Sequence, residues 1–167
     1  MNPPAAAATR DFQGRIEPLL DRAAAYAWAI VRNRADAEDA VQDAAVKAFR
    51  AFCRYDGSRS FKGWWFAILR NCCRDLLRRR RSRPSTVPID PAEAPPQPGP
   101  LPGQYDDLRN ALEQLSAAHQ EILQLRYFGD CSYKDIAAAL EIPEGTVMSR
   151  LHAARQALAV VYRKDQE

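Results

Sequence analysis

Apolar positions recur at spacings of three and four along most of the 167-residue chain, a pattern that predicts helices throughout. Residues 1–9 are small and proline-bearing and are expected to be disordered. Over residues 10–32 the apolar set is Phe12, Ile16, Leu19, Leu20, Ala23, Ala27, Ile30 and Val31, and Pro18 within it predicts a break or kink. The segment from Asn33 to Phe52 carries a stripe of Val41, Ala45, Ala48 and Phe52, with Asp36 placed to cap its start. Phe61, Trp64, Trp65, Ile68, Leu69, Cys72 and Leu76 give the next helix its apolar side. In the second half, residues 105–115 and 116–128 read as two helices, with Ser116 as N-cap and Gly129 closing the second. Ser132 and Asp135 form a capping-box-like start for a helix ending at Leu140, and Glu141, Ile142 and Pro143 make a turn. A longer helix follows over residues 144–162, with Val147, Leu151, Ala154 and Leu158 inward.

Between the halves, eight of the twenty residues at 84–103 are proline, which excludes helix and sheet and predicts an extended linker. At about 3.1 Å per residue it reaches on the order of 60 Å. The fold class expected is therefore all-α. Two small helical domains, 10–83 and 104–163, are joined by a Pro-rich linker at 84–103 and behave independently in isolation.

Charge sharpens that division. Residues 1–83 hold 17 Lys and Arg against 9 Asp and Glu, whereas residues 104–167 hold 7 against 10. The front half has the stronger field for a polyanion, and the back half must bind any nucleic acid through a local patch. Four cysteines (Cys53, Cys72, Cys73, Cys131) form no CxxC pair and no set with histidine at metal-ligand spacing, so reduced, mostly buried thiols and no metal or cofactor are expected. No apolar run is long enough for membrane insertion, and a cytoplasmic location is expected.

Three segments carry candidate chemistry. The helix over 61–81 joins an aromatic head to a tail containing Arg70, Arg74 and Arg78, a composition suited to stacked bases and held phosphates. A core helix whose arginines complement its dipole is the plainer alternative. Asp39, Gln42 and Asp43 share a polar face, either solvated or docking a basic partner helix. Residues 132–155 follow a helix-turn-helix plan with Thr146, Ser149, Arg150, His152 and Arg155 outward, where arginine and serine near the helix start reach base edges.

Together these segments resemble the extracytoplasmic-function sigma factors of bacterial RNA polymerase. DAEDAVQD at 36–43 is similar to their polymerase-binding helix. FKGWWFAILRNCCRDLLRRRR at 61–81 is similar to their F..W...I.RN...D..RR helix, and residues 115–155 resemble their fourth region, ending in IP.GTV.SRL..AR. The resemblance implies that Asp36, Glu38, Asp39, Gln42 and Asp43 bind the β′ clamp helices of core RNA polymerase. It implies that the loop of Tyr55, Asp56, Gly57, Ser58, Arg59 and Ser60 captures a flipped base of the −10 element. Lys62, Trp64, Arg70, Asn71, Arg74 and Arg78 would line the adjoining DNA. At the −35 element it implies Glu144, Thr146, Ser149, Arg150, His152 and Arg155 in the major groove. Ser132 and Lys134 would stand beside them, with the module docked on the β flap. An anti-sigma partner is also implied, and no catalytic residue is. Ala40, Ala44 and Ala45 are smaller than the residues usual there, and Ser116 replaces a proline. Glu141 replaces the usual turn glycine, which at positive φ would cost about 1 kcal/mol.

Two other readings of the residues stand beside this one. A free-standing helix-turn-helix regulator uses the second module and leaves the acidic and aromatic-basic helices unexplained. A cysteine-nucleophile enzyme has Cys72, Cys73, His119 and His152 to draw on, but no orienting residue or oxyanion motif with them.

Overall fold

The computed structural model describes residues 3–82 and 106–164, so the proline-rich segment and Tyr105 lie outside the described residues. All the described elements are helices. The first module contains α1 (Pro3–Ile16), α2 (Leu20–Val31), α3 (Arg34–Ala51) and α4 (Phe61–Ser82). The second contains α5 (Asp106–Glu113), α6 (Ala117–Tyr127), α7 (Tyr133–Leu140) and α8 (Glu144–Lys164).

Helix α1 corrects the expectation of disorder before Arg10, since it begins at Pro3. Prolines cost little in a first turn, where their missing N–H has no helical partner, and Ala5 to Ala8 have the highest helix propensity of any residue. Pro18 does break the pattern: residues Glu17–Leu19 form a 3₁₀ turn between α1 and α2. The cap of α3 is Asn33 rather than Asp36, its side chain accepting the Asp36 N–H at 2.9 Å.

Small residues set the packing of the first bundle. Ala37, Ala40, Ala44 and Ala48 are the buried residues of α3, with Val41 and Ala45 at the margin and Phe52 beyond its end. Of the expected stripe, Ala48 is fully buried, while Ala40 and Ala44 take the central places expected of Val41 and Ala45. The alanine stripe brings α3 close to α2 and α4, and the space is filled from those helices by Tyr26, Trp65, Phe66 and Leu69, all fully buried. The short side chains at Ala40 and Ala44 thus fit a closely packed bundle.

In the second module Ser116 caps α6, accepting the His119 N–H at 3.4 Å. Gly129 follows α6, but the left-handed residue there is Asp130, at φ 50°. Gly129 is required for space instead, since a Cβ would stand 2.8 Å from the Leu125 carbonyl oxygen and 3.0 Å from Phe66. Ser132 and Asp135 close a full capping box on α7. Glu141 adopts φ 55°, so the turn does take the left-handed geometry that glycine favours.

The largest departure from expectation is between the modules. Rather than standing apart, they share one core in which Trp65, Phe66 and Leu69 of α4 join Ile122, Leu125, Ile136 and Ala139 of α6 and α7. Helix α4 packs along α7 nearly as extensively as along α3. Gly63 makes the approach possible, because a Cβ there would lie 2.6 Å from both the Ala138 Cβ and the Asp135 carbonyl oxygen.

Candidate nucleic-acid interface

The expected polymerase-docking acids divide by environment. Asp39, Gln42 and Asp43 are exposed on α3, and Asp43 is 3.7 Å from Lys47. Glu38 is exposed and pairs with Arg34 at 2.9 Å. Asp36 is half-buried and ion-paired with Arg80 of α4, whose other nitrogen donates to the Val31 carbonyl at 3.0 Å. Asp36 therefore ties α3 to α4 rather than projecting outward. Val46 and Phe49 extend the exposed stripe with apolar surface, which periodicity had not singled out. Beside them Lys47 Nζ contacts Cys72 Sγ at 3.4 Å, and burial nonetheless pushes the Cys72 thiol up.

The loop at 55–60 is an ordered turn. Tyr55 is half-buried against Phe61 and Trp64, with ring centroids 5.5 and 4.9 Å away, and its hydroxyl donates to the Arg59 carbonyl at 2.5 Å. Tyr55 and Trp64 thus brace the loop, while Asp56, Gly57, Ser58 and Arg59 are presented at its surface. The Ser58 N–H donates to Asp56 at 3.0 Å, and with the Ser58 hydroxyl it holds the Asp56 carboxyl below its ordinary value.

Along α4 the polar and basic residues fall into two groups. Asn71, Arg74 and Arg78 are exposed. Arg70 is half-buried and meets Glu121 of α6 at 2.5 Å, where Arg74 joins it at 3.1 Å. Ser60 donates to Asp135 and accepts the Gly63 N–H at 3.0 Å, and Lys62 Nζ donates to the Asp130 carbonyl at 2.5 Å. Burial pushes the Asp135 carboxyl up, but hydrogen bonds from Ser60 and Ser132 together hold it below its ordinary value. Glu121 and Asp130 were not identified from sequence, and Asp135 only as the cap of α7. Gly63 within an apolar helical pattern was the available signal of close packing.

The second module presents Ser132, Lys134, Glu144, Ser149, Arg150, His152 and Arg155 at the surface, with Thr146 half-buried. The Ser149 hydroxyl donates to the Thr146 carbonyl at 3.1 Å, and Arg155 Nε donates to the Tyr127 hydroxyl at 3.0 Å. Met148, on the same helix, is 60% exposed.

Two family descriptions match this architecture: Sigma-70 region 2 over residues 16–83 and Sigma-70, region 4 over residues 105–158. The chain belongs to the sigma-70 family. Its relatives place it in the extracytoplasmic-function branch of those factors, which direct RNA polymerase to promoters and are not themselves enzymes. It is 34% identical over 159 residues to the ECF RNA polymerase sigma factor SigE of Mycolicibacterium smegmatis, covering 91% of this chain and 62% of that protein. To SigL of Mycobacterium tuberculosis it is 35% identical over 144 residues, covering 83% of this chain and 81% of that one. The sigma factor RpoE of Bartonella quintana, solved with the anti-sigma factor NepR, superposes with a TM-score of 0.71 at 30% identity, covering 92% of this chain and 98% of that one. CnrH, solved with the cytosolic domain of CnrY, gives a TM-score of 0.63 at 25% identity, covering 96% of each chain. Among the described residues of this sigma factor, no helix is long and apolar enough to cross a membrane.

Proposed function

We propose that this sigma factor binds core RNA polymerase through α3 and selects promoters with its two modules. The first opens and holds the −10 element, and the second reads the −35 element. The observation that carries the reading is the distribution of exposed charge. Asp39 and Asp43 make an acidic stripe on α3, Arg74 and Arg78 a basic one on α4, and Arg150, His152 and Arg155 a third on α8. Each stripe suits a different surface: the clamp helices, the −10 phosphates and the −35 groove. The domain limits follow as 10–83 and 104–163, and the site of action is the cytoplasm, with the polymerase.

An anti-sigma partner belongs to this reading. A cavity of about 770 Å³ lies between the modules, with Trp28, Leu77, Leu112, Leu158 and Tyr162 among its apolar lining. A groove of this kind suits an amphipathic helix, and the solved relative RpoE was captured with an anti-sigma factor.

The test is run-off transcription with purified core polymerase on genomic DNA fragments. Discrete transcripts that require the added chain are expected. Tight shifting of duplex DNA by the chain alone, with no transcripts, would instead support a free-standing regulator.

A further inference from the structure

Met148 is the most exposed large apolar side chain among the described residues, at 60%. Other exposed apolar side chains have a place in the fold. Tyr127 and Tyr162 line the groove between the modules, Val46 lines the acidic groove of α3, and Phe49 meets Phe12 at 5.4 Å. Met148 lines neither groove and joins no core cluster.

A single exposed apolar residue is common on soluble proteins, so its position carries the argument. Helix α8 buries Val147, Leu151 and Ala154. That turns Met148 outward, one turn after Glu144 and one turn before His152, both assigned to the −35 groove. Gly145 lies beside it, and a Cβ there would meet nothing within 4 Å, so packing within the chain does not call for glycine. Alanine would strengthen this first turn. Glycine leaves the backbone bare next to the thioether, which gives clearance to a closely approaching surface. Of the assigned polar readers, Ser149 spends its hydroxyl proton on the Thr146 carbonyl, and Arg155 Nε is bound to the Tyr127 hydroxyl.

Base edges in the major groove present donors and acceptors, with one apolar group among them, the C5-methyl of thymine. Methionine has no donor and only a weak acceptor, and its three rotatable bonds let it reach and cover a methyl group. We propose that Met148 is a specificity-determining residue, selecting thymine at one −35 base pair through apolar contact with the C5-methyl. This rests on the reading of α8 as the −35 helix. The contact carries no charge and neutralises no phosphate, so it changes sequence preference and leaves salt dependence alone.

The test uses core polymerase carrying the full chain and a promoter found by run-off transcription, randomised across its −35 element. Wild type should enrich thymine at one position. Met148→Gln, which keeps length but adds polarity, should lose that enrichment, and Met148→Leu should retain it. Replacing the selected thymine with deoxyuridine removes the methyl alone. It should weaken wild-type binding about fourfold and leave Met148→Gln unchanged, with equal salt slopes. Thymine enrichment that survives Met148→Gln would overturn the proposal, as would equal wild-type binding of thymine and deoxyuridine. Poorer assembly of Met148→Gln with core polymerase in the absence of DNA would overturn it too, by making Met148 a protein-docking residue. A −35 preference that depends on Arg150 but not on Met148 overturns this proposal alone. No preference anywhere at −35 overturns the reading of α8 with it.

Discussion

Glu141 shows how a single residue departs from what its position favours. At φ 55° and ψ 45° it holds the left-handed turn between α7 and α8, where a side chain crowds the backbone. Glu141→Gly should raise unfolding stability by about 1 kcal/mol, read as a higher urea midpoint at unchanged m-value. A lower midpoint would mean that the glutamate makes a compensating contact. The thiols offer a second check at this scale. Burial pushes Cys73 and Cys131 each up to about 12, and Cys72 is also raised, while Cys53 is exposed. An alkylating reagent at pH 8 should therefore modify Cys53 quickly and leave the other three until the chain unfolds. The residues legible from sequence were those whose partners are near in the chain. The Ser132–Asp135 capping box is a local pattern whose ends are three residues apart, but the bond from Ser60 to the same Asp135 spans 75 residues, and no periodicity encodes it.

At the scale of elements, α3 separates structure from docking. Its core contacts come from alanines, so the acids on the opposite side are dispensable for folding. Asp39→Arg with Asp43→Arg should leave the thermal midpoint within a few degrees of wild type and abolish co-purification with core polymerase. Retained binding at physiological salt would remove α3 from the docking surface. The existence and order of the helices were readable from the three-to-four spacing, whereas on α3 only Ala48 of the fully buried residues was anticipated. Alanine is too weakly apolar for its stripe to stand out, and only its neighbours Tyr26 and Trp65 explain it. Helix α7 gives a pH-dependent counterpart. Asp135 faces Ser60 and Lys62 of α4 as well as Ser132 of its own turn. Its folded value is depressed, so its contribution is present above the ordinary carboxylate value of about 3.9 and is lost as pH falls through the lower folded value. Asp135→Asn, which keeps an acceptor for the cap, should flatten the acid limb of stability between about pH 5 and 2. An unchanged acid limb would show that other carboxylates dominate it.

For the whole molecule the question is how firmly two modules joined by a long tether hold each other. Closure that is too strong would tax polymerase binding, since each tenfold in closure costs tenfold in apparent affinity. A closed state favoured about tenfold over the open one corresponds to about 1.4 kcal/mol. If the tether supplies an effective concentration of about 1 mM, the same contact between severed modules has a Kd of roughly 0.1 mM. The proline-rich segment then makes a weak contact between the modules prevail. With a protease site inserted between Pro98 and Gly99, and labels on the exposed Cys53 and on Gln156→Cys, the uncut chain should show one short label separation. After cleavage at about 10 µM the fragments should elute separately from a sizing column, and the short separation should vanish. Raising the fragments to about 1 mM should restore it for the wild-type pair but not when the first fragment carries Gly63→Ala. Fragments that stay together at about 1 µM would place the contact at least a hundredfold above this strength.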